Sequence, residues 1–293
     1  MIVRALTLPI VLMSLLSCAP DAARTTTEPM EQAPDRSSLL MDWNRRAESI
    51  DAMHALGIAE LRWIDEDGDS RMEQGELDLW FEAPDRLAIR ISKFGETYLV
   101  YGSNGVDDWL YTNQSEELVK WPSEREVDFI LSDIDLLLVS LGLRRLPVGS
   151  LPGAATWDAS QGAWEFQVEG ISGAPVTWWI DEGAKFPSRM AVTASGYEVT
   201  ITEDQSRTRT VKLPGTPITA SPKLPGSLTI MSRNAEDTDY QRTLVVFDEV
   251  SVDTEGQPMD RVFDVDAMEA GLKPRSVRVL GNEPVPFNED SRQ

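Results

Sequence analysis

Period-two alternation is what most constrains this chain. Glu60-Leu61-Arg62-Trp63-Ile64 alternates, and Glu76 to Glu82 puts Leu77, Leu79 and Phe81 on one face. Arg86 to Ser92 does the same with Leu87, Ile89 and Ile91. Such a pattern is a strand with one buried side. Further strands are expected over residues 97–101, 108–112, 163–169, 176–181, 187–193, 197–203, 208–213, 227–232 and 243–252. Asp67-Gly68, Ala83-Pro84-Asp85 and Ser103-Asn104-Gly105 punctuate the early strands and suit hairpin turns. Successive strands with short turns predict an antiparallel meander, apolar on one face and charged on the other.

Two stretches break that period. The first is a helix capped by Ser37 or Ser38, with Leu40, Trp43, Ala47, Ile50 and His54 at three- and four-residue steps and Gly57 at its end. The second follows Pro122. Ser123-Glu124-Arg125-Glu126 fits a capping box, and Val127, Ile130, Leu131, Ile134, Leu137, Leu138 and Leu141 follow at helical spacing before Gly142. This helix is too apolar to face water, so it must cover something. A proline-rich loop (Pro214, Pro217, Pro222, Pro225) precedes the last strands. A final element is expected over Val262 to Met268, then Lys273-Pro274 and a polar tail. The predicted fold is mainly β (α+β): an antiparallel sheet with an N-terminal helix and one inserted helix.

The only cysteine, Cys18, closes the run Leu15-Leu16-Ser17-Cys18 after Arg4 and an apolar stretch from Ala5 to Leu16. This is the layout of a secretory signal, and the stretch is shorter than the ~20 residues a spanning helix needs. The run resembles a bacterial lipobox. That resemblance implies cleavage before Cys18 and acylation of it, hence a membrane partner through an N-terminal lipid anchor. Ala19, where such lipoproteins use aspartate for inner-membrane retention, implies the outer membrane, facing the periplasm. The expected organisation is a signal peptide over 1–17, a lipidated disordered tether over 18–36, one domain over 37–285 and a polar tail over 286–293. The tether holds three prolines and almost nothing to bury.

Charge and residue usage exclude several functions. Against 27 Lys and Arg stand 49 Asp and Glu, a net −22. That balance argues against nucleic acid, whose phosphates need basic side chains. With one histidine and one cysteine, the chain is poor in zinc ligands and offers no nucleophile–base pair. Asp65 to Glu76 has acidic residues at EF-hand positions one, three, five, nine and twelve, but Ser70 replaces the turn glycine and the flanks read as strands. It is read as a solvated hairpin tip. No metal, no cofactor and no catalytic residue is expected, and the protein is read as a non-enzyme.

The order of elements is similar to that of the LolA/LolB-like superfamily. The residues that carry the resemblance are Gly75 to Leu87, Leu99 to Tyr111, the Ser123 to Leu141 helix, and Ile180-Asp181 with Phe186-Pro187-Ser188-Arg189-Met190. The resemblance implies an unclosed β-barrel with helices in its mouth, and the binding of lipid or lipoprotein acyl chains. The candidate ligand-binding residues are Leu61, Trp63, Leu77, Leu79, Phe81, Leu87, Ile89 and Ile91 on the strands, with Leu137, Leu138 and Leu141 on the inserted helix. The competing expectation is a structural envelope lipoprotein packed solid beneath that helix. Interior volume separates the two: a ligand pocket holds roughly 300–1,000 Å³.

Overall fold

The computed structural model describes residues 32–64, 68–123, 134–147, 154–170, 175–194, 197–234 and 240–281. Its first element is helix α1, Arg36–Glu48. Asp35 caps it, its carboxylate accepting from the Ser38 backbone N–H at 2.8 Å. A run of long antiparallel strands follows: β1 (Ala52–Ile64), β2 (Ser70–Glu82), β3 (Arg86–Lys93), β4 (Glu96–Ser103), β5 (Asp107–Thr112) and β6 (Glu117–Pro122). Helix α2, Ile134–Ser140, interrupts them. Then come β7 (Thr156–Asp158), β8 (Ala163–Glu169), β9 (Pro175–Asp181), β10 (Arg189–Ala194) and β11 (Tyr197–Glu203). The short pair β12 (Thr208–Thr210) and β13 (Lys223–Pro225) stands apart, before β14 (Ser227–Asn234) and β15 (Tyr240–Ser251). Helices α3 (Met259–Val262) and α4 (Val265–Leu272) and strand β16 (Ser276–Val279) finish the described chain.

Fourteen strands form one sheet in the order β16-β6-β5-β4-β3-β2-β1-β15-β14-β11-β10-β9-β8-β7. It does not close: β16 and β7 remain its edges. It curves strongly, because one apolar cluster gathers same-face residues from both halves, with Tyr101 and Trp121 joining Phe166 and Trp178. On the concave side lie α1 through Leu40 and Trp43 and α2 through Leu137, Leu138 and Leu141. The convex side of β2 to β6 is covered by α3 and α4. Phe263 and Val262 pack on Trp80 and Ala88, while Val265, Met268 and Leu272 pack on Val100, Trp109, Tyr111 and Leu118. The curved antiparallel unclosed sheet with an N-terminal and an inserted helix is the architecture expected from the sequence.

Several boundaries differ from expectation. The first helix ends at Glu48, so His54 and Gly57 belong to β1. Ile50 and His54 continue the helical spacing by coincidence. From Met53 the buried positions are 53, 55 and 59, a period of two, and β1 is held by ladders to β2 and β15 on both sides. Gly57 sits at a bulge where a Cβ would lie 2.1 Å from the Val246 carbonyl oxygen, so only glycine lets β15 approach. His54 stacks on Trp80 at 5.2 Å on the convex face, with Nε2 3.4 Å from Asp78. Strands β6, β7, β13 and β16 lie where no strand is expected, and β16 pairs with β6 in parallel. The Val262 to Met268 element is helical, as parts of α3 and α4. The expected 208–213 strand stops at Thr210. Residues 124–133, the first half of the inserted helix with the capping box beyond Ser123, lie outside the described residues, as do the signal, Cys18 and most of the tether; Ser123 Oγ itself donates to Asp108 Oδ1 at 2.6 Å. Of the acidic stretch expected as a hairpin tip, Ser70 to Glu76 belong to β2 itself and pair with Ile64 to Ile58 of β1, because the strand ladder runs past the charges; residues 65–67 lie outside the described residues.

Candidate functional site

Residues paired across antiparallel strands share a face, so register assembles the site. Leu77 pairs with Ile91 and Leu79 with Ile89. Ala59 pairs with Val245, and Thr243 with Ile230. These side chains point into the curve, beneath α2. Leu137 on α2 and Leu141, one turn later just past its end, close over them. The space between has walls formed by Leu77, Leu79, Ile89, Ile91, Leu137 and Leu141, joined by Ala59, Leu228, Ile230, Val245 and Phe247, with Ser140 and Thr243 the two polar side chains. Its volume is about 30 Å³. That is room for a water molecule and far below the ~300–1,000 Å³ of a ligand pocket. With α2 seated, the hollow holds no acyl chain.

The other expected ligand-binding residues lie nearby without lining this space. Phe81, Leu87 and Leu138 are fully buried in the surrounding core. Leu61 is half-buried against the core, and Trp63 lies further along the inner face of β1, opposite Arg71. Sequence reasoning missed the contribution of β14 and β15. Their pairing with β1 is non-local, and no feature of either segment announces it.

Helix α2 is seated by leucine and valine side chains, while polar contacts fix the stretch after it. The Asn44 side-chain amide donates to the Leu146 carbonyl at 2.9 Å and accepts from the Leu146 N–H at 2.8 Å. Trp43 Nε1 donates to the Arg144 carbonyl at 2.9 Å. Arg145 pairs with Glu48 at 3.0 Å. The C-terminal side of α2 is thus clasped to α1.

A buried arginine and a buried glutamic acid lie at this junction, and the sequence reading missed them too. Arg46 of α1 is 5% exposed and Glu203, at the end of β11, 7%. The guanidinium is sandwiched between the Trp43 ring at 4.3 Å and the Phe186 ring at 4.2 Å. Its Nη1 donates to the Lys223 carbonyl at 3.4 Å, but Nε and Nη2 have no hydrogen-bond partner among the described residues. Glu203 Oε1 is likewise without one, and Gln205 Nε2 lies 3.5 Å from Oε2. Burial pushes the Glu203 carboxyl up to about 8, against the pull of Arg46. Burial lowers Arg46 to about 10, opposed by Glu203. The signal was available: Val199, Ile201 and Glu203 share one strand face, so a carboxylate falls in an apolar register.

Among the described residues, no group of three or more His, Cys, Asp or Glu side chains is arranged to hold a metal ion. No family model matches the chain, and no curated protein matches it. Among solved structures it is similar to a protein domain from Vibrio parahaemolyticus assigned to outer-membrane lipoprotein sorting, with a TM-score of 0.49 at 11% identity over 80% of this chain and 97% of that one. It is similar to a DUF1329 family protein from Desulfovibrio piger, with a TM-score of 0.47 at 9% identity over 79% and 96%. It is also similar to a LolA superfamily protein from Nitrosomonas europaea, with a TM-score of 0.41 at 10% identity over 72% and 92%. What the site can do follows from its own geometry.

Proposed function

We propose that this protein is a non-enzymatic cell-envelope lipoprotein, anchored through Cys18 to the outer membrane, that takes up acyl chains of lipids or lipidated partners between α2 and the concave face of its sheet. The observation that carries this reading is the seating of α2. Its buried leucines rest over an almost wholly aliphatic hollow, while the stretch after it is clasped to α1 by hydrogen bonds. Lifting α2 off the sheet exposes the inner faces of β1 to β3, β14 and β15 as one apolar wall. An acyl chain laid there replaces the leucines at roughly 0.8 kcal/mol per buried methylene. Trafficking of lipid or lipoprotein is the role such reversible uptake serves.

A packed structural lipoprotein is the second reading, and the small volume of the hollow favours it. Native mass spectrometry of the protein extracted from its own membrane separates the two. Acyl-chain adducts beyond the covalent anchor, shed on activation, are expected. A single bare mass across all charge states supports the packed scaffold.

A further inference from the structure

The hollow ends at the buried pair. Leu228, in its wall, is the cross-strand partner of Glu203. Leu141, in its lid, is followed directly by Gly142, which lies against Arg46. A Cβ on Gly142 would fall 1.8 Å from Arg46 Nη2 and 2.4 Å from Nε. The edge of the guanidinium that lacks hydrogen-bond partners is therefore the edge that the end of α2 covers. Two N–H donors of a buried cation, left unpaired, carry a desolvation cost that native proteins seldom accept without a function or a guest. Gly142 has φ +69°, in the left-handed region, and lacks the side chain that would push α2 off this edge.

Resting on the acyl-chain reading above, we propose that the Nε/Nη2 edge of Arg46 is the head-group site of that hollow, binding the single anionic head, carboxylate or phosphate, of an acyl-chain ligand, and that seated α2 caps it through Gly142. Lifting α2 then does two things at once. It opens the aliphatic wall for the chain and uncovers the fork that matches a planar carboxylate or two phosphate oxygens. The cation is otherwise poorly compensated. Glu203 is the acidic side chain beside it, and burial keeps that carboxyl protonated into the neutral range. In that form its O–H adds a donor for the same anion. Trp43 and Phe186 hold the guanidinium plane in place.

The test compares three ligands of one chain length on the full domain: myristate, a monomyristoyl phosphate and methyl myristate. Isothermal titration calorimetry reports occupancy, since nine tryptophans share the intrinsic fluorescence. Wild type is expected to bind both anionic forms at least tenfold more tightly than the ester, and preference between the two anions identifies free fatty acid or phospholipid as the source. Arg46→Met is expected to abolish the difference. Equal affinity of wild type for all three ligands overturns the head-group site and leaves acyl-chain binding standing. Binding of none overturns both. Should Arg46→Met fail to fold, the wild-type comparison of the three ligands still decides.

Discussion

Truncating Leu141 to alanine distinguishes a lid from a piece of core. Leu141 is 4% exposed and lies in the wall of the hollow. Buried Leu→Ala changes cost about 3–5 kcal/mol, the larger losses arising where the surroundings cannot collapse into the space. Here the facing strands are fixed in continuous ladders, so the upper part of that range applies. The existing void of about 30 Å³ already costs about 0.7 kcal/mol at roughly 24 cal/mol per Å³. A loss of 3–5 kcal/mol lowers the melting temperature by about 6–20 °C in a domain of this size. The same lost contacts no longer resist the lifting of α2. Since each ~1.4 kcal/mol is tenfold in affinity, release of even half the loss tightens acyl binding by at least tenfold. Circular dichroism melts and titration with a fluorescent fatty acid, on one sample, give both numbers. A lower melting temperature with unchanged or absent binding refutes the reasoning: α2 is then ordinary core.

Two further outcomes are expected. The folded state holds a proton on Glu203 up to about pH 8, while the unfolded chain releases it near the ordinary 4.5; stability is therefore complete below about 4.5 and falls as pH rises through about 8, by up to ~1.4 kcal/mol per unit. In melts from pH 5 to 8.5, Glu203→Gln should flatten that decline, and an unchanged slope would show that other groups cause it. Cys18→Ser should release the protein from membranes or leave an uncleaved precursor; an unmodified cysteine in the intact mass of wild type would remove the lipid anchor from the account.

Much of the fold was legible because it is local. Leu77-Leu79-Phe81 and Leu87-Ile89-Ile91 announce one-faced strands, and the leucines from 137 to 141 announce a covering helix. The rest depends on partners distant in sequence. Nothing in Thr243, Val245 or Phe247 says that β15 lies beside β1, so the β14 and β15 side of the hollow was invisible. The Ile50 to His54 spacing satisfied a helix and a strand equally, and only the two flanking ladders decide for the strand. Arg46 sits three residues after Trp43, on the apolar stripe of α1, yet its neighbour Arg45 is exposed and pairs with Asp42 in ordinary fashion. A charge on a helix is solvated far more often than buried. Its burial became evident once α2, β11 and Phe186 converged on it.

The central claim is that an acyl chain takes the place of α2 against the concave wall. Methyl-resolved NMR of leucine and isoleucine side chains during titration with myristate tests this directly. Contacts from the chain to Leu79, Ile89 and Leu228 are expected, together with large shifts of Leu137 and Leu141 as the helix lifts. If saturating myristate leaves those five residues unmoved, the interior is a packed core and the account is contradicted.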